Sequence, residues 1–241
     1  MTGILAALTG SEEQSTPIWL QIPDGYIPLP LTDIQEHMAE ALAMVSEVAP
    51  EDTRPAVAPL VGDLTYLLGE LAARHGLYCG IGHHVSPEDG SQITSSLVVA
   101  LQTFPEKTNP RVLLKDLVLK KEEEGERGQV DLVDIQGRPI LFFERNRRLP
   151  TPQIPGQPSV PEGATSEIYQ LEALIPSDDG SKLASIEFST PFVSHGPEFR
   201  AMVVIMAATV SFDPPAPSVA SEPDDDTGTV GYRSIADVLN G

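Results

Sequence analysis

The pattern of apolar positions predicts one strand and two helices in the first part of the chain. Ile18, Leu20 and Ile22 alternate with Trp19 and Gln21, and this alternation predicts a strand before the turn signal at residues 23–25. Helical spacing follows twice. One segment begins with Thr32 or Asp33 as its N-cap, and Glu36 is placed to complete a capping box with Asp33. The other is expected to end with Gly76 as its C-cap. The helical apolar positions are Ile34, Met38, Ala41, Leu42 and Val45, then Val57, Leu60, Val61, Leu64, Leu67, Leu68 and Leu71.

The second part of the chain predicts three β-hairpins and two helices. The paired strands are 77–84 with 93–104, 130–135 with 139–144, and 168–175 with 183–188, each pair joined by a Gly-containing turn. Residues 109–125 have helical spacing, and Ser194 is a candidate cap for a final helix, followed by a short strand at 210–212. Because elements of one type follow each other, the fold class is α+β. We expect an antiparallel sheet of about six to seven strands covered by helices, most simply on one face.

Composition divides the chain of 241 residues into three segments. Residues 1–15 mix small apolar and polar residues and are expected to form an N-terminal arm. Residues 16–213 carry the strands and helices given above and are expected to form a single α+β domain, in which the five prolines of 149–163 predict an extended crossover. Residues 214–241 are acidic and rich in Pro and Ser, so we expect a disordered tail that ends in a short apolar helix.

Charge limits the partners and the compartment. The formal net charge is −20, which disfavours nucleic acid and anionic membranes, and no apolar run approaches the 18 residues typical of a membrane span. We therefore expect neither nucleic-acid binding nor membrane insertion. A single cysteine, Cys79, and a start without a signal-peptide pattern favour a cytoplasmic protein. A secreted effector that lacks a classical signal would have the same features and stays an alternative.

Three neighbouring residues, Cys79, His83 and His84, are the only candidates for metal or thiol chemistry. Adjacent residues on a strand point to opposite faces, so His83 and His84 are poorly placed to hold one metal together. We therefore assign no catalytic residue, no metal and no cofactor. A small metal- or thiol-dependent enzyme that uses these three side chains remains an alternative function.

The candidate partner-binding residues lie in two places. Ten of the fifteen Lys and Arg residues fall between Lys107 and Arg148, and we call this region the basic island. Within it Arg145, Arg147 and Arg148 are the candidates for an acidic partner, although a solvated face or docking of the chain's own acidic tail would explain them too. In the tail, the side chains that would bind an apolar groove are Ile235, Val238 and Leu239. Exposed edge strands also leave a homodimer possible.

Two stretches resemble the PsbP-like α/β sandwich, in particular LpqN-type actinobacterial proteins. They are WLQIPDGYIPLP at 19–30 and STPFVSHGPEFRAMVVIMAATVSF at 189–212, while the helical insertion at 32–75 and the missing signal peptide depart from the family. A composition rich in Ala, Val and Pro and poor in Lys also resembles that of actinobacterial proteins. The resemblance implies a binding or accessory role without family catalytic residues. The interpretation is a non-enzymatic cytoplasmic protein–protein interaction or accessory protein, adaptor-like or chaperone-like, for example in a secretion system.

Overall fold

The computed structural model describes residues 3–4, 18–151 and 159–214. These residues form an α+β fold with an antiparallel sheet of seven strands and helices packed on it, which confirms the predicted fold class. The strands are β1 Gly3–Ile4, β2 Gln21–Ile22, β3 Tyr26–Leu29, β4 Gly76–Val85, β5 Gln92–Thr103, β6 Gln129–Ile135, β7 Arg138–Pro150, β8 Thr165–Pro176 and β9 Lys182–Thr190. The helices are α1 Ile34–Val48, α2 Arg54–Ala73, α3 Pro110–Glu123 and α4 Arg200–Thr209, with a 3-10 helix at Val193–Phe199.

The sheet has the strand order β3-β4-β5-β9-β8-β7-β6, and every neighbouring pair is antiparallel. The three predicted hairpins are present as β4–β5, β6–β7 and β8–β9. The pairing of β5 with β9 joins the two halves of the chain, and β3 and β6 form the edges. The short β1 pairs with β2 in a separate two-stranded sheet.

Helices cover both faces of the sheet, so the simpler expectation of one covered face is wrong. On one face α4 packs through Val203 and Met206 onto a large core that includes Phe188. On the opposite face α1 and α2 cover β3 and β4, and α3 covers β7 to β9 through Leu114. The reason is that several strands carry apolar residues at both alternating positions, so each face has surface to bury.

The ends of the first two helices differ from their predicted caps. Asp33 does lie at the N-cap of α1, but its φ is 47° and its side chain makes no capping hydrogen bond. Helix α2 ends at Ala73, and His75 rather than Gly76 adopts the left-handed conformation, with φ 62°. Gly76 starts β4 so close to α2 that a Cβ there would lie 2.7 Å from the Leu71 carbonyl oxygen. Its lack of a side chain therefore permits close packing and does not cap the helix.

Other boundaries shift by a few residues. Helix α4 begins at Arg200 and not at Ser194, because the 3-10 helix occupies the preceding residues and Pro197 lies within it. Strand β7 continues to Pro150, which pairs with Thr165, so the start of the predicted crossover is strand. Ser211 forms an isolated bridge with Trp19 where a last strand was expected. Most of the predicted arm, the middle of the crossover and residues 215–241 lie outside the described residues.

Candidate functional site

The three candidate arginines of the basic island do not form one surface. Arg145 and Arg147 point to the α3 face of the sheet, whereas Arg148 points to the α4 face because side chains alternate along β7. The Arg145 side chain is only 10% exposed, pairs with Glu126 at 2.7 Å and donates from Nε to Gln170 Oε1 at 2.8 Å. Its guanidinium also lies 5.1 Å from the centre of the Phe143 ring. Arg145 therefore serves the fold, and Arg147 and Arg148 are the two that solvent reaches.

A charged network surrounds Arg145. Lys121 of α3 pairs with Glu172 of β8 at 2.7 Å and with Glu126 at 3.2 Å, and its ammonium lies over the Phe143 ring. Burial acts to raise the pKa of Glu126, but the hydrogen bonds from Arg145 and Lys121 outweigh it and hold that pKa below its usual value. The network links α3 to the sheet and uses basic-island charges within the molecule.

Polar side chains lie on this same face between the region under α1–α2 and the region under α3. We call them the polar strip, and its members are Ser96, Gln170, Glu172, Glu187 and Ser189. Glu172 and Glu187 are directly opposite each other on β8 and β9, and Ser96 Oγ lies 2.8 Å from Ser189 Oγ. Burial raises the pKa of Glu187, and the neighbouring Glu172 charge raises it further, against the lowering effects of Gln170, Arg147 and Arg145. The surroundings of Glu187 therefore favour its protonated form.

The candidates for metal or thiol chemistry do not lie together, because His84 is on the opposite face of the sheet from Cys79 and His83. Cys79 is buried beneath α1 and α2, and burial raises the pKa of its thiol to about 11, which keeps it protonated at neutral pH. His83 points to the same face as Cys79 and is exposed, whereas His84 points to the α4 face. Among the described residues, no group of three or more His, Cys, Asp or Glu side chains is arranged to hold a metal ion.

His84 belongs to an aromatic and hydroxyl cluster at the α4 face. Its Nε2 lies 3.0 Å from Ser95 Oγ, which is also 3.2 Å from the Tyr26 hydroxyl. The His84 ring is 5.1 Å from the Tyr26 ring and 5.0 Å from the Phe199 ring, measured between centroids. Burial lowers the pKa of His84, and Ser95 is 3% exposed. The cluster joins β3, β4 and β5 to the 3-10 helix. The Ser95 hydroxyl is buried and therefore shielded from a substrate in solution.

A second histidine, His195, links the 3-10 helix to the β4–β5 turn. His195 Nδ1 lies 2.6 Å from Glu198 Oε1, and its Nε2 lies 3.7 Å from Asp89 Oδ2. Ser86 donates from its hydroxyl to the same Glu198 carboxylate at 2.9 Å. The hydrogen bond to Glu198 raises the pKa of His195, with Asp89 and Glu88 adding to the effect against partial burial. These contacts give Ser86, Asp89, His195 and Glu198 a structural role.

The α1–α2 hairpin is the most unusual surface of the described chain. Met44 and Val48 are one helical turn apart on α1 and are 69% and 76% exposed, and Leu60 and Leu67 on α2 are 44% and 52% exposed. Val45 at 43% and Tyr66 at 73% add to this surface. A soluble helix ordinarily hides such side chains, and exposed apolar surface of this kind marks binding sites.

Helix α2 is, by length and composition, apolar enough to cross a membrane, and only 17% of its most apolar 18-residue window is buried. The sequence pattern did not reveal this because Asp63, Thr65 and Glu70 interrupt the apolar run. In the fold, α2 packs against α1 and β4, and its buried side chains are Ala56, Val57 and Leu68. Val61, Leu64 and Leu71 are partly buried against the same core, whereas Leu60, Tyr66 and Leu67 form an apolar side of α2 that the described residues leave exposed.

Sequence reasoning missed the exposed residues of this hairpin. Met44 and Val48 lie beside the apolar stripe predicted for α1. Apolar residues outside that stripe were the signal from which an exposed apolar surface could have been predicted. Leu60 and Leu67 were assigned to the core stripe of α2, but they lie at its margin, where the sheet does not reach them. The tail candidates Ile235, Val238 and Leu239 lie outside the described residues.

Comparison with protein-family models finds no match, and comparison with curated proteins finds none either. The PsbP-like resemblance therefore depends on the two sequence stretches given above.

Proposed function

We propose that this chain is a non-enzymatic protein-binding module, an accessory or chaperone-like component that holds an apolar segment of another protein on its α1–α2 hairpin. One observation carries the proposal: α2 is apolar enough for a membrane span, and yet most of it is uncovered. The apolar side of α2 that the fold leaves exposed is expected to be covered by another molecule. The expected compartment remains the cytoplasm, and a PsbP-like origin of the sheet is part of the same proposal.

Charge favours a protein over a bilayer as the occupant. Residues 33–74 contain eight Asp or Glu and two Arg, so acidic side chains surround the exposed apolar ones. Such a surface repels anionic lipid headgroups and attracts Lys and Arg. The partner we propose is therefore a protein segment with apolar residues flanked by basic ones. The tail residues and the exposed Arg147 and Arg148 would provide separate contacts.

The experiment is affinity purification of the tagged full-length chain followed by mass spectrometry and by titration with the purified partner. The double variant Leu60→Lys/Leu67→Lys is expected to lose its stoichiometric partner because it places charge on the apolar surface. Ile205→Lys is the matched control, since Ile205 is 63% exposed but lies on α4, at the other face of the sheet. Binding of the purified partner is expected to weaken with salt.

The same partner at unchanged affinity with the double variant would contradict the assignment to the hairpin. Removing residues 214–241 in a parallel sample tests the tail. Loss of the partner only in that sample would place binding at Ile235, Val238 and Leu239 instead. The melting temperature of each variant, compared with the original chain, separates loss of binding from loss of folding.

A further inference from the structure

The two edges of the sheet differ in how well they are protected against pairing with another strand. Edge strand β3 has four residues and contains Pro28, which lacks the N–H that a new neighbour would need. The opposite edge, β6, has seven residues, QVDLVDI, with neither Pro nor Lys. Among the described residues no strand pairs with the outer side of β6, so its backbone N–H and C=O groups there are open.

Four of the seven β6 residues are apolar, and exposed apolar side chains lie on both faces of the strand. Val130 and Leu132, on the α3 face, are 40% and 52% exposed, and Val133, on the α4 face, is 42% exposed. Beside Val133 an open groove of about 330 Å³ separates β6 from α4 and includes Phe142 and Val204 in its lining. A seven-residue edge strand with exposed apolar side chains is a template for an additional strand.

We propose that a second copy of this chain pairs with β6, strand against strand and antiparallel, about a two-fold axis at Leu132. In an antiparallel pair, residues that lie directly opposite each other point to the same face of the sheet. A two-fold axis perpendicular to the sheet must therefore pass midway between one residue and the same residue of the second copy. With the axis at Leu132 all seven residues pair, from Gln129 opposite Ile135 to Ile135 opposite Gln129. The two sheets then join into one sheet of fourteen strands, twice the seven of each chain.

Charge and strand length together favour this register, because an axis at Val133 would pair only five residues of β6 and an axis at Val130 only three. An axis at Asp131 would place two carboxylates directly opposite each other, which is destabilising. With the axis at Leu132, Asp131 lies opposite Val133 of the second copy and Asp134 lies opposite Val130. Asp134 is also held by Arg111 of α3, with its Oδ1 2.7 Å from Arg111 Nη2, so its charge is neutralised within each chain. The strand is therefore complementary to itself in one register.

The flanking helices supply the remaining contact surface. A strand pair alone covers less than the roughly 800 Å² per partner of a standard interface. Helix α3 reaches β6 through the Arg111–Asp134 ion pair, and α4 borders the groove at Val204. Both helices would thus lie beside the new strand pair, one on each face. The α1–α2 hairpin lies at the other end of the sheet, so this inference is independent of the proposed function.

The first test is the mass of the full-length chain in solution, by light scattering after size exclusion. The original chain is expected to be a dimer, whereas Leu132→Lys and Leu132→Glu, each of which places like charges at the axis, are expected to be monomers. An equimolar mixture of the two variants is expected to recover the dimer because Lys then faces Glu. Met44→Lys, on the α1–α2 hairpin, is the control and is expected to remain dimeric.

The second test fixes the register by cross-linking with a mild oxidant. Leu132→Cys is expected to give a covalent dimer on a non-reducing gel, since the two copies lie about 4.5–5.5 Å apart between Cα atoms. Val130→Cys is the matched control, because its copies are offset by four residues, about 14 Å, and cannot form a disulfide. The native Cys79 is buried and is not expected to contribute.

A full-length chain that is monomeric overturns the proposal, and a dimer that Leu132→Lys leaves intact overturns the assignment to β6. Equal cross-linking of the two cysteine variants overturns the register. Leu132 is half-exposed on an edge strand, so folding is expected to survive each change, and circular dichroism checks this. Partner capture by Leu132→Lys should be unchanged, which separates this result from the test of the α1–α2 hairpin.

Discussion

Glu187 shows how one residue of the polar strip is affected by its position in the sheet. It lies on β9 directly opposite Glu172, which Lys121 already neutralises at 2.7 Å. Burial raises the pKa of Glu187, and the Gln170 hydrogen bond and two arginines oppose that rise without cancelling it. The ionised form of Glu187 is therefore a cost to the folded state, and the protonated form is not.

Replacing Glu187 by Gln is expected to raise the free energy of unfolding at neutral and higher pH. A raised folded-state pKa means that the folded chain binds the proton more tightly than the unfolded chain. The contribution of Glu187 to stability is therefore fully present below the unfolded pKa of about 4.3 and is lost as pH rises through the folded value. Glutamine keeps the shape of the protonated acid and removes this loss. Melting temperatures at about pH 4 and about pH 8 measure the difference.

The control for this change is Glu167→Gln, at an exposed position of β8 that faces Arg148. An exposed pair contributes little, so this variant should melt close to the original chain at both pH values. A Glu187→Gln variant that is less stable at high pH would show that the ionised carboxylate is used, for instance by Arg147. That result would mean that the polar strip is stabilised by the negative charge of Glu187.

Arg145 marks the limit of what single residues reveal in the sequence. The charge pattern shows a basic island as a run of residues, but it could not separate an arginine whose side chain is 10% exposed from two arginines that are accessible. The difference arises from Glu126 and Gln170, which are 19 and 25 positions away and reach Arg145 only after β7 pairs with β8. Burial of a charged residue depends on partners that local patterns do not specify.

At the scale of elements, the 3-10 helix before α4 depends on one glycine. A Cβ at Gly196 would collide with the Tyr169 ring, which belongs to the core of the α4 face. Gly196→Ala is therefore expected to displace that ring or the 3-10 helix and to destabilise the fold by about 1–3 kcal/mol, as overpacking does. Urea denaturation of the purified chain provides the measurement.

The matched change is Gly62→Ala in α2, where a Cβ would meet no atom within 4 Å. Alanine is the better helix former, so this variant is expected to gain about 0.5–1 kcal/mol. If both variants changed stability by the same amount and in the same direction, the effect of Gly196 would not come from contact with Tyr169.

Elements could be predicted from the sequence far better than their ends. Three hairpins and four helices follow from spacing and turn residues, because those signals act within a few positions. The ends failed where tertiary contact decided them. Gly76 is a packing residue against Leu71 rather than a cap, and the residues after Ser194 form a 3-10 helix instead of the first turn of α4. Residue propensity alone does not contain those contacts.

At the scale of the whole molecule, strand order decides which surfaces are free. The sequence of β6 has apolar residues at both alternating positions, which is typical of a strand covered on both faces. Because β9 returns to pair with β5, β6 is left at an edge and exposes six of its seven residues. Neither that edge nor the uncovered side of α2 could be predicted from local patterns, since both depend on which elements come together.

The overall charge makes the two proposed interfaces respond to salt in opposite directions. Each chain carries −20, so two copies that approach through β6 repel each other, and screening is expected to tighten the dimer. The acidic α1–α2 hairpin attracts a basic partner, so screening is expected to weaken that complex. Sedimentation velocity of the chain alone, and calorimetry with the purified partner, from about 50 mM to about 500 mM salt would measure both trends. A dimer that dissociates as salt increases would show that attractive ion pairs hold it together, which the apolar β6 edge with Leu132 at its centre does not provide.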